Sequence, residues 1–382
     1  MYMRRSRFSK LLAAGLVLSA GVVLAQRGPQ GPQMRGDGPA PAAKPFSVTR
    51  SDPGMDAVAG PDTKAELIAS GFGLNEGPVW VPDPKGGYLL VGALLENVIY
   101  KVTPAGKVSV FLEKAGYSGP ASEESQQGFV TRSGRAYVLL VGPSCASLDS
   151  QGRLIWCADN DRTVMRLEKD GSRTVLSPGV DGKRFSGPND IVVSKDDGVY
   201  LTDNDFGMRD GPRNPSKQMD ASIVLIKDGK SRVVLDGKTL GGIPNGVVLS
   251  PDEKTLYANA GQKMFKYEVK PDGSLGPGSP FTDGPGIGDG MKVDRAGNVY
   301  STSGAGPGIV RVTSPAGKLL GYLTLPLVDG EPKRQICATN IAFGDADGHG
   351  LYVTACDAVY RIRLKATGVM PGPKSVTMPT PK

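Results

Sequence analysis

Histidine is nearly absent from this chain: one residue in 382, His349. Zinc sites are built mainly from His and Cys, so zinc chemistry fits poorly. His349 itself lies in Asp345-Ala346-Asp347-Gly348-His349-Gly350, which reads as a solvated surface turn. Helical periodicity is also lacking. After residue 25 no stretch sustains an apolar stripe at the 3.6-residue period, which argues against helical bundles and alternating α/β folds. A basic stripe is missing too. The formal net charge is +7, but the surplus lies in the two ends of the chain, and residues 61–368 are formally neutral. That excludes the electrostatic footprint of a nucleic-acid binder.

The ends explain the surplus. Arg4, Arg5, Arg7 and Lys10 precede an apolar run from Leu11 to Leu24, and Val23-Leu24-Ala25 is a small-residue cleavage site. Residues 1–25 therefore read as a secretory signal peptide, with an uncleaved N-terminal anchor as the alternative and Arg4-Arg5 as a faint twin-arginine signal. The expected location is periplasmic or secreted, with no membrane span in the mature chain. Residues 26–60, rich in Gly, Pro, Gln and Ala, read as a flexible linker, and residues 369–382, with four prolines, as a disordered tail. Export permits disulfides among the four cysteines. Cys145 and Cys157 flank one turn, and Cys337 and Cys356 flank another, so two local bridges are expected. Buried free thiols are the alternative.

What remains is monotonous. Short runs of Val, Ile, Leu and Tyr alternate with tight turns centred on Gly106, Gly152, Gly171, Gly229, Gly273, Gly297 and Gly317. A glycine near the third position supplies the positive φ that hairpin turns need. Many short strands with regular turns mean a sandwich, a barrel or a propeller. The roughly 300 residues between linker and tail are long for a sandwich, and blades of about fifty residues divide them into about six. The fold class expected for residues 61–368 is all-β: a six-bladed β-propeller with four-stranded antiparallel blades. Trp80 and Trp156 are expected in the cores of blades.

A second repeat marks the strand starts. Residues 75–80 read Asn-Glu-Gly-Pro-Val-Trp, 187–190 Gly-Pro-Asn-Asp, 243–246 Ile-Pro-Asn-Gly, 287–291 Ile-Gly-Asp-Gly-Met, and 337–344 Cys-Ala-Thr-Asn-Ile-Ala-Phe-Gly. The key polar residues are Glu76, Asn189, Asn245, Asp289 and Asn340. Their separations of 113, 56, 44 and 51 residues correspond to two repeats, then one, one and one. Equivalent positions on successive blades surround the central axis, so these groups would face one spot. A single Asn-Asp at a strand mouth more often caps a turn; the repetition argues for binding. Two carboxylates with amide oxygens make a hard-oxygen site that suits Ca2+, and Mg2+ or Mn2+ would also fit. The competing account is a water-filled channel in which these groups satisfy one another.

These stretches, together with Asp149-Ser-Gln-Gly-Arg-Leu-Ile-Trp-Cys157, Pro244-Asn-Gly-Val-Val-Leu-Ser-Pro-Asp252 and Asp289-Gly-Met-Lys-Val-Asp294, resemble the gluconolactonase and regucalcin family of six-bladed propellers over roughly residues 65–368. The resemblance implies a divalent ion, usually calcium, at the channel mouth, held by Glu76, Asn189, Asn245 and Asp289. It implies hydrolysis of a sugar lactone, with Asp289 as ligand and general base or nucleophile; a monomer is expected. The chain departs from the pattern at Ser144-Cys145-Ala146, Ala158-Asp159-Asn160 and Thr202-Asp203-Asn204-Asp205, where the family usually carries other residues. Ser144, Asp190, Asp203, Asp205 and Asn340 are thus candidate pocket residues, although turn capping explains Asp203 and Asp205 equally well. Gly142-Pro-Ser144-Cys-Ala146 faintly echoes a nucleophile elbow but lacks its last glycine. The alternative function is a non-catalytic sugar- or metal-binding propeller; a third is a purely structural propeller.

Overall fold

The computed structural model describes residues 44–72, 74–94, 96–119, 128–130, 136–138, 142–204, 216–304, 308–326 and 337–382. Asp205 and the leader lie outside the described residues. Among them no helix is long and apolar enough to cross a membrane. Six antiparallel sheets form the blades; five run as meanders from an inner strand outward, and the sixth takes its outermost strand from the N-terminal side. The inner strands are Asn75–Val81, Pro143–Leu148, Pro188–Val193, Pro244–Leu249, Met291–Val293 and Asn340–Gly344, which begin blades one to six in chain order. Each packs beside the next, and the sixth packs beside the first, so the ring closes. This is the expected six-bladed β-propeller.

The seven tight turns form as anticipated, each with its glycine at positive φ. At Asp228-Gly229 both residues lie at positive φ (51° and 70°), the backbone of a type I′ hairpin. The core is divided rather than central, with one apolar packet filling each junction between neighbouring blades. Trp80 stacks on Tyr352 at 5.4 Å across the closure of blades six and one. Trp156 is buried between blades one and two and donates its indole N–H to the Ala115 carbonyl at 2.7 Å. Both are core residues, as expected. The two expected disulfides are present, Cys145–Cys157 and Cys337–Cys356.

Both ends of the propeller differ from expectation. The segment to residue 60 was expected as a free linker, yet Ser47–Arg50 adds a fifth strand to blade five. A short 3-10 turn, Pro53–Ala57, follows, capped by Asp52, and inserts Met55 into the packet between blades five and six, joined by Val58. Average composition hid these few anchors. Ala65–Ser70 then supplies the outermost strand of blade six, whose other three strands come from the C-terminal side. Residues 369–382, expected as a disordered tail, instead strap the far end of the ring. Val369 N–H donates to Val293 O at 3.0 Å, Val376 N–H to Pro82 O at 3.0 Å and Lys382 N–H to Gly171 O at 2.9 Å. Prolines keep this strap extended, and Val376 is buried beneath it. His349 is not a free surface residue either: its ring nitrogens lie 3.1 Å from Leu364 O and 3.3 Å from Thr367 Oγ1.

Candidate active site

The predicted residues fall where inner strands begin. Glu76, Asn189 and Asn245 are the second residues of their strands, Asn340 is the first of its own, and Asp289 stands two residues before Met291. Ser144, second in the inner strand of blade two, fills the position skipped by the 113-residue gap. The ladder is irregular after Glu76, Pro188 and Pro244. Bulges re-aim side chains at strand ends, so these polar groups leave the pleat alternation that would bury them in a blade.

Side chains of four blades and a backbone N–H of a fifth meet in the channel. Asn340 of blade six hydrogen-bonds both Glu76 of blade one and Asp190 of blade three. Its own Oδ1 accepts the Ile341 N–H at 2.8 Å, which leaves the amide N–H groups for the carboxylates. Asp190 also accepts the Val247 N–H of blade four at 3.2 Å and lies near the ammonium of Lys292 of blade five. Burial raises the Glu76 carboxyl to about 8, opposed by the Gly77 N–H and Asn340 and reinforced by the nearby Asp190 charge. Asp190 is likewise raised by burial, with Lys292 opposing. Two desolvated carboxyls sharing one channel need compensation to ionise together.

Asn245 carries the complementary defect. Its Oδ1 is fully enclosed and, among the described residues, has no hydrogen-bond partner. Its backbone carbonyl is held by the Thr202 hydroxyl at 2.6 Å. Asn189 is half-buried. Asp289 is fixed through its backbone: its N–H donates to Thr302 O at 2.9 Å, and its carbonyl accepts Asn259 Nδ2 at 2.7 Å. Its carboxylate packs against Gly304, at φ 63°, where an added Cβ would sit 2.2 Å from Oδ2. Among the described residues no group of three or more His, Cys, Asp or Glu is placed to share an ion. A cation at the mouth therefore needs amide oxygens as well as carboxylates. The donor chemistry fits a hard ion: an enclosed unpaired amide oxygen and a desolvated carboxyl on one ring of strand starts.

Two candidates sit elsewhere than expected. The Ser144 hydroxyl donates to Pro188 O at 2.6 Å, so it braces the residue before Asn189 rather than facing a substrate. Asp203 accepts the Ser186 and Gly187 N–H groups, outside the Glu76–Asn340–Asp190 cluster, and burial raises its carboxyl to about 7. Turn capping explains it. Lys292 was overlooked although it stood inside the Asp289–Asp294 motif; a lysine within an inner strand, between Met291 and Val293, was the signal. A cavity of about 320 Å³ occupies the far end of the channel under the strap, but apart from Lys292 its lining contains none of the cluster.

The model of the SMP-30/Gluconolactonase/LRE-like region matches residues 74–357. A gluconolactonase of Zymomonas mobilis is 31% identical over 342 residues, covering 84% of this chain and 87% of that protein. Among solved structures, a gluconolactonase of Xanthomonas campestris superposes with a TM-score of 0.65 at 25% identity, covering 86% of this chain and 99% of that one. Regucalcin of Agrobacterium tumefaciens, a calcium-binding protein, shares the fold with a TM-score of 0.57 at 17% identity, over 87% and 98% of the two chains. With a ring of six blades, polar strand starts at one mouth and a family match across nearly the whole propeller, this chain belongs to the SMP-30/gluconolactonase/LRE-like family.

Proposed function

We propose that this chain is an exported, divalent-metal-dependent hydrolase, with calcium as the ion, that opens a sugar lactone such as gluconolactone. The observation that carries the metal is that the ring of strand starts holds both a desolvated carboxyl, Glu76, and an enclosed amide oxygen, Asn245 Oδ1, with no hydrogen-bond partner among the described residues. Glu76, Asn189, Asn245 and Asp289 would hold the ion. When bound, it polarises the lactone carbonyl and lowers the pKa of a water. The remaining work belongs to the chain. Asn340 and Lys292 hold the channel carboxyls in place below the mouth. Gly304 leaves room for the Asp289 carboxylate, whose Oδ2 takes the proton of the attacking water. The lactone substrate is supported by the gluconolactonases to which the chain is similar. Export is supported by the leader pattern of residues 1–25 and by the two disulfides, which suit an oxidising compartment.

The test is gluconolactone hydrolysis by purified protein before and after chelation. Turnover should vanish with chelator and return with calcium. Turnover that ignores the chelator would remove the metal, and failure on every aldonolactone would remove the hydrolase. Asp289→Asn should cost on the order of 10²–10⁴ in rate while the protein stays folded, since it removes the proton acceptor.

A further inference from the structure

The peptide that leads into Asn189 is gripped along both polar edges by charged side chains outside the channel cluster. Arg162 is buried, at φ 57°. Its Nε donates to Phe185 O, Nη2 to Arg184 O at 3.5 Å, and Nη1 to Ser216 O at 3.1 Å. From the amide side, Asp203 receives the Ser186 N–H on both oxygens at 3.0 Å and the Gly187 N–H at 2.8 Å. The Ser186 hydroxyl donates to Met219 O at 2.6 Å. Pro188 O then takes the Ser144 hydroxyl, and Asn189 follows. Five consecutive residues before a candidate ligand, 184–188, are thus fixed by side chains from elsewhere in the fold.

Asn189 contrasts with its approach. Among the described residues, no hydrogen bond is made by its side chain. Among the described residues no partner aims its amide, so its direction is inherited from the backbone. A buried guanidinium and a buried carboxylate are an expensive way to cap a loop that a serine could cap. A rigid planar fork on the carbonyls and a bidentate acceptor on the amides do fix a peptide plane, which a single hydroxyl does not.

We propose that Arg162 and Asp203 are positioning residues: together they set the backbone that aims the Asn189 amide at the channel mouth, and so control divalent-ion affinity without touching the ion. This rests on the metal reading above. The experiment is calorimetric calcium titration of the purified full chain and of Arg162→Met, Arg162→Lys, Asp203→Asn and, as a control at the far end of the ring, Val376→Ala. Arg162→Met and Asp203→Asn should weaken calcium binding by about 10–100-fold, the usual loss when a residue supporting a ligand is removed. Arg162→Lys, which keeps the charge but not the fork, should fall between these and the parent. Val376→Ala should lower Tm and leave calcium affinity unchanged. With saturating calcium, kcat of the variants should recover. If Arg162→Met fails to fold, Arg162→Lys and Asp203→Asn decide the matter. Parent-like affinity in the folded variants would overturn the proposal alone; a parent chain that binds no divalent ion would overturn it together with the metal reading.

Discussion

Glu76 is the residue on which the site turns, and its protonation has a readable consequence. Its carboxyl is raised from 4.5 to about 8 in the metal-free fold, chiefly by burial. Between those values the folded chain keeps a proton that the unfolded chain has released. Stability of the metal-free protein should therefore fall as pH rises from about 5 to 8 and level off above. Glu76→Gln should reduce that slope in thermal melts; Asp190 and Asp203, raised in the same direction, should keep part of it. A slope unchanged by the substitution would mean that Glu76 is not the enclosed acid described. A second residue-scale test concerns Gly246. Its backbone would accept alanine, but a Cβ there would lie 2.2 Å from Asp289 O. Gly246→Ala should push Asp289 from its place and cost most of the lactone turnover, with a smaller effect on melting. Full activity in Gly246→Ala would show that the Asp289 backbone tolerates the shift.

At the scale of elements, the strand starts are held by a recurring device: a polar side chain from one strand end bonds a carbonyl at the start of the next blade. Ser144 bonds Pro188 O, Thr202 bonds Asn245 O, Asn259 bonds Asp289 O, Thr302 bonds Thr339 O, and Thr339 bonds Asn75 O. Thr339→Val keeps the shape but strands a buried carbonyl beside Glu76. It should cost about 1–3 kcal/mol in denaturant unfolding, the penalty of an unmade buried bond; a loss near zero would show that the carbonyl finds another partner. Much of this level was legible in sequence. The turn glycines gave the hairpins, and the spacing of Glu76, Asn189, Asn245, Asp289 and Asn340 gave the ring. The clasps were not legible, because a serine or threonine at a strand end carries no mark of which distant carbonyl it meets. The bond from Ser144 to Pro188 O is one such clasp that its sequence position does not announce. Lys292 was missed because a lysine in a short strand is ordinarily solvated, and only closure of the ring turns it inward.

The whole molecule is closed twice. Ala65–Ser70, from the N-terminal side, completes blade six, so the ring seals only after both ends of the chain are made. The C-terminal strap then crosses from blade five to blades one and two at the end opposite the polar mouth. Composition alone assigned the strap to disorder, because its anchors are single residues among prolines. Its contacts are nonetheless specific. Val376 is buried against Gly152, where an added Cβ would lie 2.7 Å from a Val376 methyl, and residues 369–373 wall the cavity of about 320 Å³. Removing residues 371–382 uncovers that cavity and forfeits the Val376 burial, worth about 1.5–3 kcal/mol for one apolar side chain. The truncated chain should melt several degrees lower while its lactone turnover at low temperature stays at the parental rate, because the strap touches none of Glu76, Asn189, Asn245 or Asp289. Loss of turnover in step with stability would mean instead that the strap holds the channel residues in register from blades one and two, through its bonds to Pro82 and Gly171.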